Sequence, residues 1–244
     1  MAKQRKMKSL KKASEMTRRE LAAYIDQSVL KPEFTQAEIK KYIQEGVDFG
    51  CATVCINPSA IPLAQELCED TETGLCVVCD FPFGLSSTKS KVKQAQEICS
   101  SANIQDLDIV ANYGWIRSGL WQQVEEDIRA VAEVCHNYGT LLKTIFEVDA
   151  LSLDEVKKAT EVAISAGSDF VKTSTGFYTG GKSDGATLEV IQAMMDVAAG
   201  RCRIKGSGGI RTREHFFALI DMGIDRMGIG YRSTPVVLGL DEGE

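Results

Sequence analysis

Eight short β-like runs, each separated from the next by an amphipathic helical stretch, restrict the folds open to this 244-residue chain more than any other feature. The runs are Tyr24–Ser28, Ala52–Ile56, Leu75–Phe81, Asp106–Ala111, Leu141–Glu147, Phe170–Ser174, Arg203–Ser207 and Arg226–Gly230. Parallel strands need a long crossover and a helix supplies it, so strand–helix alternation implies βαβ units. Eight units point to an α/β fold closed as a (β/α)8 TIM barrel, for which ~250 residues is an ordinary length. The helical stretches carry their own punctuation. Thr35 with Glu38 and Ser152 with Glu155 are capping-box pairs. Val124, Ile128, Val131 and Cys135 recur on one helical face, while Gly167 and Gly223 stand where helices should stop. No Pro- or Ser-rich linker interrupts this rhythm. The chain therefore reads as one barrel domain over 21–244, preceded by a basic N-terminal extension of helical character over 1–20.

In a parallel barrel the reacting groups gather at the C-terminal ends of the strands. Side chains alternate between the two faces of a strand, so polar residues at inward positions are the candidates. These are Asp26, Asp108, Lys143, Glu147, Lys172 and Lys205, with Asp106 facing the same way as Asp108. Lys172 lies in Phe170-Val171-Lys172-Thr173-Ser174-Thr175-Gly176, and Lys205 in Arg203-Ile204-Lys205-Gly206-Ser207-Gly208-Gly209. A buried ammonium is costly unless it is paired or loses its proton. Two ammonium groups ~6 Å apart on neighbouring strands repel by ~3 kcal/mol at an effective dielectric of ~20, enough to hold one largely neutral near pH 7. A neutral lysine is a nucleophile of the Schiff-base type, and a carboxylate such as Asp108 organises a water for proton transfer. Lys143 with Glu147 reads as a structural ion pair, and a turn cap is the plainer alternative for Asp26 taken alone. Gly176, Gly180, Gly181, Gly208 and Gly209 follow the lysine strands, where barrel loops commonly bind phosphate through backbone N–H groups.

Net charge of −6 excludes a global basic surface for nucleic acid. The one basic run is Lys3, Arg5, Lys6, Lys8, Lys11 and Lys12, read as a solvated extension; the terminal Asp241–Glu244 is also read as solvated. No apolar signal segment follows the basic run and no stretch of ~18 apolar residues occurs, so neither export nor membrane spanning is expected. The eight cysteines are accordingly read as reduced core thiols of a cytoplasmic protein, with no disulfides. Cys76-Val77-Val78-Cys79 matches C-x-x-C, but a strand sends residues three apart to opposite faces. His136 and His215 lie in helical stretches, and no metal or cofactor site is expected.

Together these residues resemble the deoxyribose-phosphate aldolase family from about Tyr24 to Gly230. Further shared segments are Tyr24-Ile25-Asp26 with Leu30-Lys31-Pro32, Val54-Cys55-Ile56-Asn57-Pro58, Phe81-Pro82-Phe83-Gly84, Asp106-Leu107-Asp108-Ile109-Val110 and Ser118-Gly119 before Val124–Ile128. The most specific are Phe170–Gly176 and Lys205–Arg211. The resemblance implies a class I aldolase without cofactor, joining acetaldehyde to glyceraldehyde 3-phosphate reversibly. It also implies Lys172 as the Schiff-base lysine, Lys205 as its partner and Asp108 as the relay carboxylate. Asp26, Cys55 and Thr175 fall near the site, Gly176, Gly208 and Gly209 in a phosphate cradle, and a homo-oligomer, with a dimer favoured, is expected.

The chain departs from that family in three places. Gln27-Ser28 replace His-Thr, Asp80 replaces a Gly before Phe-Pro, and Gly228-Ile229-Gly230-Tyr231-Arg232-Ser233 stands where Gly-Thr-Ser-Ser is usual. Two phosphate-binding serines are thus missing, leaving Gly230 and a charge-assisted contact from Arg232 in that place. Two alternatives stay open on sequence alone. One is an aldolase of the same mechanism for a different or non-phosphorylated sugar; the other is a silent barrel that binds a sugar phosphate.

Overall fold

A computed structural model describes residues 11–240. Eight strands, all parallel, close into a barrel in sequence order: β1 (Ile25–Val29), β2 (Thr53–Ile56), β3 (Gly74–Cys79), β4 (Ile104–Val110), β5 (Leu141–Ile145), β6 (Phe170–Lys172), β7 (Arg203–Ser207) and β8 (Arg226–Gly230). Helices α1 (Arg18–Ala22), α2 (Gln36–Phe49), α3 (Ile61–Cys68), α4 (Thr88–Ser101), α5 (Tyr113–Arg117), α6 (Trp121–Asn137), α7 (Leu153–Ser165), α8 (Leu188–Ala198), α9 (Arg213–Met222) and α10 (Ser233–Leu238), with three single 3-10 turns at Ala13–Glu15, Pro58–Ala60 and Val148–Ala150, complete the described elements. The eight expected runs are the eight strands. Several expected C-terminal ends are trimmed, because Asp80, Phe146, Glu147, Thr173 and Ser174 already belong to the loops above the barrel.

The punctuation acts as the sequence implies. Thr35 and Ser152 accept from the backbone N–H of Glu38 and Glu155 in reciprocal capping boxes. Gly223 ends α9 in the left-handed conformation. The apolar stripe of α6 is buried against the barrel, as are the outward residues of the strands, such as Leu107, Ile109, Val171, Ile204 and Ile229. Burying each such side chain contributes roughly 1.5–3 kcal/mol, and this layer between strands and helices is the main core.

The inside of the barrel is different. A small apolar group of Leu30, Cys55, Cys76 and Val78, with Phe81 and Phe177 against it, occupies one side. The other side holds buried charges.

Asp80, the residue in place of a glycine, has a local structural role. It takes φ 49° and accepts from Ser86 N at 3.0 Å and Ser86 Oγ at 2.7 Å, tying the loop after β3. At the N-terminal side, Lys11 pairs with Glu20 at 2.6 Å and Lys12 lies 3.7 Å from Asp221. Lys3, Arg5, Lys6 and Lys8 of the basic run, and the acidic Asp241–Glu244, lie outside the described residues. Among the described residues no helix is long and apolar enough to cross a membrane.

Candidate active site

Alternation and register bring seven charged side chains from six strands into one buried cluster. Lys172 is the last residue of β6 and pairs in register with Lys205 on β7, while Asp108 on β4 pairs with Lys143 on β5. The two neighbouring lysines do not face each other bare. Asp108 Oδ2 lies between them, 2.7 Å from Lys172 Nζ and 2.8 Å from Lys205 Nζ. Lys205 also reaches Asp26 at 2.6 Å. Lys143 meets Asp106 at 2.5 Å, Asp108 at 3.3 Å and Asp26 at 3.5 Å. Arg226 from β8 closes the group on Asp26 at 2.7 Å.

Two sequence expectations are corrected here. Lys143 does not pair with Glu147: four residues along a strand span ~13 Å, and the carboxylates that meet the amine come across the barrel from β1 and β4. Asp26 is not a turn cap but a fully buried member of the cluster, where it also accepts from Thr53 Oγ1 at 2.8 Å.

Burial opposes the charge on Asp108, but Lys172, Lys205 and Lys143 outweigh it and hold the carboxyl well below the usual range. Burial likewise opposes the charge on Asp26, and Lys143, Lys205 and Arg226 hold its carboxyl low. Burial would lower Lys205, yet Asp108 and Asp26 raise it well above an ordinary lysine. The same balance, with Asp26 as the first counter-charge, raises Lys143.

Lys172 is the member of the cluster that opens onto a cavity of about 400 Å³. Lys205, Asp108, Asp26 and Cys55 are fully buried and are not among its lining residues. The rim brings Lys31, Arg211 and Arg232 to the same cavity, and among the described residues no Asp or Glu lines it. Gly176, Gly208 and Gly209 line it with φ of 82°, 82° and 75°. A Cβ on Gly209 would meet Asp184 O at 2.5 Å, so glycine is required there twice over. Gly230 and Tyr231 also line it. The Tyr231 ring is held by Tyr42 at 4.0 Å and Phe34 at 5.1 Å, with the Arg232 guanidinium 5.3 Å from its centroid. Lys31 Nζ lies 5.2 Å from the centroid of Phe177.

Thr175 is tied down by Glu147, which accepts from its N–H at 3.3 Å and from its hydroxyl. Thr175 Oγ1 in turn accepts from Phe177 N at 2.9 Å, so Glu147 supports the turn that presents Gly176. Glu147 has φ 57°, and burial pushes its carboxyl up. Its support of Thr175 was not legible, because the contact joins two loops.

Sequence reasoning also passed over Arg226 and Cys76. Arg226 was readable from the alternation Arg226-Met227-Gly228-Ile229, which turns Met227 and Ile229 outward. Cys76 Sγ lies 3.1 Å from Asp108 Oδ1, and Cys79 is on the opposite face, 3.7 Å from Lys91 O. Cys55, Cys76 and Asp108, and Asp26, Cys76 and Asp106, are close enough to share a metal ion. Ammonium groups of Lys143, Lys172 and Lys205 already sit on those carboxylates, which leaves a cation facing like charges. The histidines lie elsewhere: His136 Nε2 is 2.9 Å from Asp169, and His215 Nε2 is 2.9 Å from the Ala186 carbonyl.

Linkage fixes the sign of the cluster's pH dependence. The depressed carboxyls of Asp26 and Asp108 contribute stability that is full above pH ~5 and is lost as pH falls below the unfolded value of ~3.9 toward the folded ones. The raised Lys143 and Lys205 contribute stability that is full below pH ~10 and is lost as pH rises through their folded values. Asp26→Asn should therefore cost about 3–5 kcal/mol at pH 7 by unpairing buried cations, and should lose less than the native chain between pH 5 and pH 3. Urea midpoints at the three pH values read both effects; parallel losses on acidification would remove Asp26 from the acid limb.

Comparison with known proteins gives a consistent set of likenesses. Residues 21–234 match the DeoC/LacD family aldolase description. The deoxyribose-phosphate aldolase of Mannheimia succiniciproducens is 42% identical over 223 residues, covering 91% of this chain and 96% of that relative. That of Finegoldia magna is 39% identical over 209 residues, covering 86% and 95%. Among solved structures, QR15, an aldolase, superposes with TM-score 0.81 at 34% identity over 90% of this chain and 95% of its own. The tetrameric deoxyribose phosphate aldolase of Aeropyrum pernix gives 0.80 at 25% identity, covering 91% of each chain.

Proposed function

The chain belongs to the DeoC/LacD aldolase family, and we propose that it cleaves 2-deoxy-D-ribose 5-phosphate reversibly to acetaldehyde and D-glyceraldehyde 3-phosphate through a Schiff base on Lys172. The observation that carries this reading is the placement of Lys172: an amine on the cavity, joined through Asp108 to a second lysine beneath it.

The directly linked cluster holds four cations, Lys143, Lys172, Lys205 and Arg226, and three carboxylates, Asp26, Asp106 and Asp108. One positive charge is in surplus. Lys172 has a single carboxylate contact, whereas Lys205 has two and Lys143 three. A proton leaving Lys172 keeps every carboxylate paired and balances the cluster; a proton leaving Lys143 or Lys205 breaks more contacts. Lys172 is thus the amine that attacks.

Attack on the aldehyde carbonyl forms the C–N bond, and loss of water leaves a protonated imine. That cation withdraws electrons from the adjacent carbon. A water positioned by Asp108 and Lys205 carries the carbon-bound proton toward that pair, giving the enamine. The enamine carbon then bonds to the second aldehyde, and hydrolysis returns Lys172. Run backward, the same steps cleave the sugar phosphate.

The cavity supports an anionic acceptor in spite of the missing serines. In a chain of net charge −6, its lining carries Lys31, Arg211 and Arg232 besides Lys172 and, among the described residues, no acid. Gly208 and Gly209 line it in the left-handed conformation, where a missing Cβ lets the backbone approach an anion. A cytoplasmic location and a homodimer are part of the same reading.

Borohydride reduction in the presence of acetaldehyde should add about 28 Da, one reduced two-carbon adduct, and the adduct should vanish in Lys172→Ala. An adduct that persists in that variant places the imine elsewhere; no adduct in the native chain favours a silent binding barrel. Charge-assisted hydrogen bonds contribute ~1.5–3 kcal/mol, so Arg211→Ala should raise KM for the phosphorylated sugar ~10–100-fold with a smaller change in kcat. Equal handling of 2-deoxyribose and its 5-phosphate by the native enzyme would contradict phosphate recognition.

A further inference from the structure

Two thiols to which the aldol steps assign no chemistry meet inside the barrel. Cys55 on β2 and Cys76 on β3 are register partners on adjacent strands, and both are fully buried. Their sulfurs are 3.6 Å apart. Neighbouring strands run ~4.7–4.9 Å apart, inside the Cα separations of ~4.4–6.8 Å that a disulfide accepts, so side-chain rotation can close the bond without parting the strands. The C-x-x-C of the sequence is not this pair: Cys79 points to the helices, and the partner of Cys76 lies 21 positions before it.

The surroundings make the two sulfurs unequal. Cys76 faces the Asp108 carboxylate at 3.1 Å, which favours its protonated form. Cys55 is held below the ordinary thiol value by its contact with Cys76 and, against burial and the Asp108 charge, by the Lys205 ammonium group. An attacking thiolate thus stands against a thiol that can resolve it. Leu30, Phe81 and Phe177 pack against the pair, and Leu30 and Phe177 also line the cavity onto which Lys172 opens. Hydrogen peroxide has two heavy atoms and is smaller than any aldehyde that reaches that amine.

We propose that Cys55 and Cys76 form a redox-active dithiol that a small hydroperoxide converts to a disulfide, switching the aldol site off until a thiol reductant restores it. The Cys55 thiolate attacks a peroxide oxygen; an S–O bond forms, the O–O bond breaks, and the leaving hydroxide takes a proton to become water. The Cys76 sulfur then attacks the sulfenic acid; an S–S bond forms, the S–O bond breaks, and a second water leaves with the Cys76 proton. The two sulfurs lose two electrons and the peroxide gains them. The disulfide removes the thiol hydrogen bond from Asp108 Oδ1, on the carboxylate whose other oxygen holds Lys172 and Lys205. The loss of activity rests on the role proposed above for Asp108; the disulfide itself does not.

Hydrogen peroxide treatment followed by intact mass, non-reducing peptide mapping and aldolase rate tests both parts. The expected result is a loss of about 2 Da, a peptide linking Cys55 to Cys76, and a fall in rate on the order of tenfold that dithiothreitol reverses. Cys76→Ala, compared with its own untreated rate, should form no such link and should instead gain oxygen on Cys55, with a loss that dithiothreitol does not fully reverse. If that variant fails to fold, Cys55→Ser supplies the same comparison, with no link formed and the reversible loss abolished. Absence of the linked peptide from treated native enzyme overturns the proposal, and a link that leaves the rate unchanged overturns the switch. Should the untreated enzyme prove inactive on every aldehyde, the aldolase reading fails while the linked peptide still decides the dithiol.

Discussion

The interaction on which the site depends is the Asp108 carboxylate shared by Lys172 and Lys205. Without it, two ammonium groups in register on adjacent strands would repel in a dry interior. With it, and with Asp26 and Asp106 behind, the barrel interior holds four cations against three carboxylates. The remaining positive charge is what makes a deprotonated Lys172 compatible with a paired interior. Lys172 is the cation of that group with a single carboxylate contact, whereas Lys205 has two and Lys143 three.

Chemistry and recognition occupy separate parts of the fold. The charged cluster sits on strands, whose closed hydrogen-bond network fixes side-chain positions. The cavity walls come from loops: the turn at Gly176 braced by Glu147, the glycines after β7, and the segment after β8. Loops can change ligand groups without disturbing the strands. That division accounts for a chain that keeps the lysine pair while replacing serines with Gly230 and Tyr231. The Tyr231 ring is engaged by Phe34 and Tyr42, and cationic side chains remain around the cavity.

The strands were legible because their outward residues are apolar and their ends carry turn and cap residues. Lys172, Lys205 and Asp108 were legible as inward positions because a two-residue period admits little else. The partners were less so. Repulsion between two lysines could be read from adjacent strands, but Asp108 lies 64 residues before Lys172, and only barrel closure places it between them. The Lys143 partner was misread because sequence proximity favoured Glu147, whereas β1 and β4 supply the carboxylates. The Cys55–Cys76 contact was hidden for the same reason: pairing across strands depends on register, and register is settled by the whole sheet.

The rate of imine formation with acetaldehyde as a function of pH, in the native chain and in Lys205→Met, tests whether charge surplus frees Lys172. Removing the Lys205 cation removes the surplus, so Lys172 should retain its proton and the rising limb of the profile should move to higher pH, by on the order of one unit or more. An unchanged limb, with the native fold preserved, would show that the second lysine does not set the state of the first.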